Sequence, residues 1–254
     1  MDLLSKAEYD SYCNRFRLVW NYLQECSYDV DSVVEKICEL RGYSVDGNMP
    51  SMLKRVGFVY LDPDVFKPEK LKKLDSTGDL GIYTKEGKFL LEARFIFPVK
   101  DMLNNIIALI GWFPDEKKYI TTPSKLFSKK ALFFGMEQLG TTGIGKDYFI
   151  VEGIFDSISI RAQGFNCVAL MGISVSNYTE ILYSLFKRVV AIPDNDFEGR
   201  KVVKEDKWRL PFNSKYLCWN GKFKDIDDVL KYYDMSDIFK EVWKEPENII
   251  TIDF

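Results

Sequence analysis

Histidine is absent from this chain, and its five cysteines (Cys13, Cys26, Cys38, Cys167 and Cys218) include no Cys-x-x-Cys pair. A zinc ribbon therefore cannot be assembled from these residues, because it needs paired thiolates or imidazoles. The odd cysteine number argues against a disulfide framework, and buried, reduced thiols are expected. No apolar run approaches the length of a membrane-spanning helix, and no signal-peptide pattern opens the sequence. A cytoplasmic protein without a membrane partner is expected. Strong charge of one sign is lacking too, since 35 Lys+Arg stand against 38 Asp+Glu for a net charge of −3. Global charge does not announce nucleic-acid binding, so any basic surface must be local. With 254 residues and 46% hydrophobic content, the chain can bury one large core or two modest ones.

What is present centres on two acid-ended apolar runs. Asp147-Tyr148-Phe149-Ile150-Val151 reads as a buried strand, followed by Glu152-Gly153 and then Asp156. Glycine there permits a tight strand-to-helix turn. Arg188-Val189-Val190-Ala191-Ile192 reads as a second strand, ending in Pro193-Asp194-Asn195-Asp196 with Gly199 beyond. Between them the apolar spacing predicts a helix over Ile154–Gln163, a strand over Asn166–Met171 and a helix over Ser176–Phe186. Alternating β and α demands a parallel sheet with right-handed crossovers, whose functional crevice lies beyond the strands' carboxyl ends. Glu152, Asp194 and Asp196 should therefore converge at one rim. Three carboxylates repel one another unless a cation sits between them, and hard divalent ions take oxygen ligands. The simpler alternative is that each acid caps a helix.

Glu152-Gly153 with Asp156, followed by Asp194-x-Asp196-x-x-Gly199, resembles the TOPRIM signature shared by bacterial-type primases, topoisomerases and some nucleases and recombination proteins. The fold implied is α/β, a TOPRIM parallel sheet flanked by helices. Ahead of it the sequence predicts a mixed α+β subdomain. Helices are expected over Ser5–Cys26, Val30–Leu40, Met52–Val56 and Phe66–Leu74, the second stopped near Gly42. A hairpin is expected around Lys85-Glu86-Gly87, then strands over Arg94–Val99 and Ile106–Trp112 in an antiparallel meander. Next, Lys117, Lys118, Lys125, Lys129 and Lys130 interleave with Tyr119 and Phe127. Such a segment is either a solvated loop or a surface that binds phosphates through lysine and stacks an aromatic on sugar or base.

The flanks narrow the resemblance. Arg94-x-x-Phe97-Pro98-Val99-x-Asp101, Lys118-Tyr119 with Thr122-Pro123, Phe127-x-Lys129 and Phe134-Gly135 follow the order of the catalytic core of bacterial DnaG-type primases. Met171-Gly172-Ile173-Ser174 stands where that family has a Leu-Gly-Thr turn. Asp225 and Asp227 match a further acidic pair, on the turn after a strand over Lys215–Trp219, although an N-cap with first-turn acids also fits. The likeness runs over about residues 50 to 232. Asn195 replaces the family's usual glycine, and Glu198 its usual alanine, which adds a charge near the acids.

The sequence is expected to divide into an N-terminal helical segment at 1–45, a basic, nucleic-acid-binding core subdomain at 46–145, a TOPRIM domain at 146–235 and a C-terminal helix and tail at 236–254. The resemblance implies synthesis of short RNA primers on single-stranded DNA from ribonucleoside triphosphates by two-metal phosphoryl transfer with Mg2+ (or Mn2+), and the missing ligand set implies no zinc. Asp194, Asp196, Asp225 and Asp227 would be metal ligands, Glu152 a ligand or general base, and Asp156 its support. Arg94, Lys118, Tyr119, Lys129 and Lys130 would hold template or nucleotide. A replicative helicase and a separate zinc-ribbon protein are the expected partners, and a phage or mobile element the expected source. A TOPRIM nuclease, or a non-catalytic nucleic-acid-binding module for recombination or replication, remains the alternative.

Overall fold

A computed structural model of the chain describes residues 5–115, 118–122, 133–171, 177–244 and 246–254. It divides into two compact units, Met1–Lys129 and Lys130–Phe254.

The first unit opens with helix α1 (Lys6–Glu25), capped by Ser5 in a reciprocal capping box with Glu8. Its Tyr12, Phe16, Val19 and Leu23 recur at helical spacing and are buried, and the Tyr12 hydroxyl donates to the Ile107 carbonyl at 3.1 Å. Helix α2 (Val30–Arg41) starts at the Asp29 cap and stops at Gly42, whose φ of 69° lies in the left-handed region. Helix α3 (Asn48–Val56), strand β1 (Val59–Tyr60) and helix α4 (Pro68–Leu74) follow. Strands β2 (Phe95–Lys100), β3 (Ile106–Phe113) and β4 (Lys118–Thr121) complete an antiparallel sheet of order β1-β2-β3-β4 among the described residues. The hairpin at Lys85-Glu86-Gly87 forms only a single bridge between Tyr83 and Phe89. Lys118–Thr121, which the sequence left open between loop and binding surface, is an edge strand paired with β3.

The second unit holds α5 (Glu137–Thr142), β5 (Asp147–Val151), α6 (Ile154–Ala162), β6 (Cys167–Ala169), α7 (Asn177–Tyr183) and β7 (Arg188–Ile192). It continues with α8 (Phe197–Lys204), β8 (Lys215–Asn220), α9 (Ile226–Val229), α10 (Met235–Lys244) and β9 (Ile249–Asp253). All strand pairs of its sheet are parallel, in the order β6-β5-β7-β8-β9. The TOPRIM-type parallel sheet flanked by helices is thus present, with one strand more than the sequence reading assigned. The segment after α10, which reads from the sequence as a tail, contributes β9, paired with β8 from Tyr216 to Asn220. Apolar residues fill both faces of β5. Tyr148 and Ile150 join one buried cluster with Val189, Ala191 and Trp208, while the Phe149 ring meets Phe165 and Phe239 at 5.7 and 5.8 Å.

Candidate active site

The strand order dictates where the acids meet. After β5 the chain moves to β6 on one side, then returns to place β7 on the other side of β5. Neighbouring crossovers leave in opposite directions at that point, which opens a crevice beyond the carboxyl ends of β5 and β7. Val151 is level with Ile192 across this pair, so Glu152 and Asp194 emerge side by side. The Asp194 backbone N–H donates to Glu152 Oε1 at 3.3 Å.

Each acid-bearing turn is built by a local rule. Asp196 caps α8 by accepting from the Gly199 N–H at 3.0 Å, and Asp225 caps α9 by accepting from the Asp228 N–H at 2.9 Å. Capping is thus realised at Asp196 and Asp225, while Glu152 and Asp194 meet at the rim without capping a helix. Asp156 is buried and uses both oxygens on backbone, accepting from Gly153 N at 3.2 Å and Asp227 N at 3.2 Å. It ties the turn after β5 to the first turn of α9. Asp227 is 1% exposed and its Oδ1 accepts from the Ser159 hydroxyl. Asp225, Asp227 and Asp228 each present a carboxylate oxygen, all within 4.8 Å of one another.

The two glycines of the motif are explained by close approach. Gly153 has an ordinary φ of −102°, so left-handed freedom is not its reason. A Cβ there would stand 2.5 Å from Asp156 Oδ2. At Gly199 a Cβ would overlap the Asp194 carbonyl oxygen and lie 2.8 Å from its carbon. Backbone cannot swing aside as a side chain can. We expect Gly199→Ala to destabilise the chain by about 2–3 kcal/mol, the upper range for overpacking. Denaturant unfolding measures this, and a cost under about 0.5 kcal/mol would contradict the close packing of α8 on Asp194.

Burial and mutual repulsion leave these carboxylates short of positive charge. Glu152 is pushed up to about 7 by burial and by the charges of Asp194 and Asp196. Asp225 is pushed up to about 6 by burial and by Asp227, Asp228 and Asp194, against the N–H of Asp228. Burial also raises Asp194, although Lys224 Nζ stands 3.3 Å from its Oδ2 and pulls the other way. Burial raises Asp156 well above the usual carboxylate range, with Asp225 adding to it. An all-oxygen donor set whose members resist ionisation together suits a hard divalent cation. Asp228 and Lys224 were not singled out from the sequence. The N-cap register of Asp225 could have shown Asp228, since it places that residue in the same first turn. Glu198 lies 4.0 Å from Lys207, which also stands 3.6 Å from Glu205.

Of the basic residues expected to hold template or nucleotide, Arg94 and Lys118 are described, and both stand in the first unit. Arg94 lays its stem against Gly111, where a Cβ would meet Arg94 Cδ at 2.7 Å. Its guanidinium lies 5.5 Å from the Phe113 ring centroid and donates to Glu92 O at 3.1 Å. Lys118 is paired with Phe113 and Tyr119 with Trp112 across β3 and β4, so Arg94, Lys118 and Tyr119 share one end of this sheet. Lys129 and Lys130 lie outside the described residues, as do Phe127 and most of the turn at Met171–Ser174.

Comparison with known proteins agrees with this architecture. Residues 149–230 match the family model described as Toprim-like. The chain is 32% identical over 112 residues to the DNA primase of Clostridium acetobutylicum, a match covering 42% of this chain and 19% of that protein. It is 26% identical over 188 residues to the DNA primase of Mycoplasma genitalium, covering 68% and 30%. The chain thus spans under a third of the length of these relatives. Its fold is that of a DnaG primase catalytic domain whose structure was solved bound to single-stranded DNA. The TM-score is 0.76 at 18% identity, over 94% of this chain and 80% of that one.

Proposed function

We propose that the chain is the polymerising core of a DnaG-type DNA primase, joining ribonucleotides on a single-stranded DNA template and releasing pyrophosphate. The observation that carries this reading is the meeting of the three acid-bearing turns at the switch point of a parallel sheet. Similarity to DNA primases selects this chemistry among those such a rim can serve. Asp194, Asp196 and Asp225 would hold Mg2+ or Mn2+ together with Asp227, and Asp228 stands close enough to join them. When bound, divalent cations activate a 3′-hydroxyl and neutralise charge on the leaving pyrophosphate. Glu152, with its pKa near 7, is suited to accept a proton from that hydroxyl at neutral pH. Asp156 positions: it fixes the Glu152 and Asp227 turns relative to each other through two backbone N–H groups.

Arg94, Lys118 and Tyr119, with Lys129 and Lys130, would contact template or nucleotide. The product duplex is A-form-like, so these contacts should go to backbone rather than to base edges. A replicative helicase and a zinc-ribbon protein supplied separately are the partners proposed, and replication in the cytoplasm is the setting. Among the described residues no helix is long and apolar enough to cross a membrane.

Template-dependent incorporation of labelled ribonucleotides by the purified chain tests the reading. Product that needs both single-stranded DNA and a divalent cation is expected, and its absence with the helicase and zinc-ribbon partners supplied would overturn it. A second measurement isolates the basic end of the first sheet. Lys118→Ala should weaken binding to single-stranded DNA and reduce the slope of log affinity against log salt by about one. An unchanged slope would leave Lys118 as an ordinary exposed residue of an edge strand.

A further inference from the structure

Lys224 occupies an unusual position in this rim. Its Nζ is 3.3 Å from Asp194 Oδ2, while its side chain is 63% exposed. Its backbone, by contrast, is pinned. The Lys224 carbonyl accepts from Asn195 N at 2.6 Å, and the neighbouring Phe223 carbonyl accepts from Asn195 Nδ2 at 3.2 Å and from Trp219 Nε1 at 2.9 Å. Arg200 Nη1 donates to Asn195 Oδ1 at 3.0 Å and holds the amide in that orientation. The Asn195 side chain, which glycine could not supply, therefore staples the Asp194 turn to the Lys224 turn.

One ammonium can neutralise one carboxylate oxygen, and it cannot satisfy a cluster that also contains Glu152, Asp196 and Asp225. A divalent cation brings twice the charge and takes several oxygens at once. It should therefore displace the ammonium from Asp194. The stem is flexible and solvated, so leaving costs little, but the pinned backbone keeps the ammonium within a side chain's length of the cation. There it is repelled unless an anion arrives. A phosphate is the anion a lysine point charge receives well.

We propose that Lys224 is a tethered counter-ion of Asp194, displaced by the divalent cation and then positioned to bind a phosphate of the incoming nucleoside triphosphate. This rests on the polymerising role proposed above for the same rim.

The experiment compares Lys224→Gln with Lys222→Gln, which removes the same charge two residues away on the same exposed loop. Manganese binding is titrated by the resonance of free Mn2+, with no nucleotide present. Lys224→Gln should tighten Mn2+ binding about 3- to 10-fold and Lys222→Gln less than about twofold, because only the first competes for a ligand oxygen. Binding of ATP with saturating Mn2+ is then measured at equilibrium. It should weaken about 3- to 10-fold in Lys224→Gln, stay near the starting value in Lys222→Gln, and be largely restored in Lys224→Arg. Equal effects of the two glutamine variants on Mn2+, or ATP binding unchanged in Lys224→Gln, would overturn the proposal. Neither measurement needs turnover, so a chain that binds as expected yet makes no primer with the helicase and zinc-ribbon partners supplied would refute the polymerising role and leave the counter-ion exchange standing.

Discussion

Asp196→Asn and Asp194→Asn should each reduce template-dependent ribonucleotide incorporation by about 10³-fold or more while leaving the fold in place. The loss follows from removing a charged oxygen ligand from a site where the metal supplies most of the stabilisation of developing charge. Asparagine is the informative replacement, and the structure says why. Asp196 accepts from the Gly199 N–H as the cap of α8, and asparagine keeps that bond, whereas alanine would cost about 1 kcal/mol of helix capping. An alanine variant would mix a structural effect with a chemical one. At position 194 asparagine keeps the shape of a side chain that is only 19% exposed. Its neighbours are Lys224, largely exposed, and the Glu152 carboxylate, which is held by the Asp194 backbone. Melting temperatures within about 2 °C of the parent are therefore expected for both variants. Incorporation at more than a tenth of the parent rate in either one would remove Asp194 or Asp196 from the metal site.

The acids were legible because two independent patterns pointed to the same rim. Period-free apolar runs at Tyr148–Val151 and Val189–Ile192 require strands buried on both faces, and such strands occur in parallel sheets. The βαβ logic then fixes which end of those strands carries function. The stop of α2 at Gly42 was equally local and could be placed without tertiary information.

Elements whose stability comes from a distant partner were harder to see. Strand β9 (Ile249–Asp253) follows a helix near the end of the sequence, and its half-exposed residues resemble a tail until β8 is there to pair with it. Strand β4 has the same character, since Lys118 and Tyr119 are exposed and the ladder to β3 alone defines it. Gly153 shows a different limit. A glycine after a strand suggests an unusual φ, but the reason here is an oxygen atom of Asp156. Lys224 was invisible because an ion pair between two turns depends on strand order, which puts β8 beside β7.

Without divalent metal, the second unit should lose stability as pH rises from about 5 to 8, and Mg2+ should restore it most at the alkaline end. Glu152 has its pKa raised from 4.5 to about 7, chiefly by burial and then by Asp194 and Asp196, and Asp225 from 3.8 to about 6. A carboxyl group raised on folding binds more protons in the folded than in the unfolded chain between its two pKa values, so stability falls with pH across that interval. Its contribution is complete below the unfolded value and is gone once pH has passed the folded one. For Glu152 the window runs from about 4.5 to about 7, and for Asp225 from about 3.8 to about 6. The Glu152 displacement alone corresponds to on the order of 3 kcal/mol before solvent screening and about 2 kcal/mol after it. At about 2–4 °C per kcal/mol for a chain of this size, the metal-free melting temperature should drop by roughly 4–8 °C from pH 5 to pH 8. A cation that binds only the folded rim adds stability in proportion to the logarithm of its concentration over its dissociation constant. That gain is larger at pH 8, where no proton has to leave Glu152 first. Melting curves at pH 5, 6.5 and 8, with and without Mg2+, measure both slopes. A metal-free transition that does not move with pH, or a Mg2+ shift equal at pH 5 and pH 8, would show that these carboxylates are not held together against their charge.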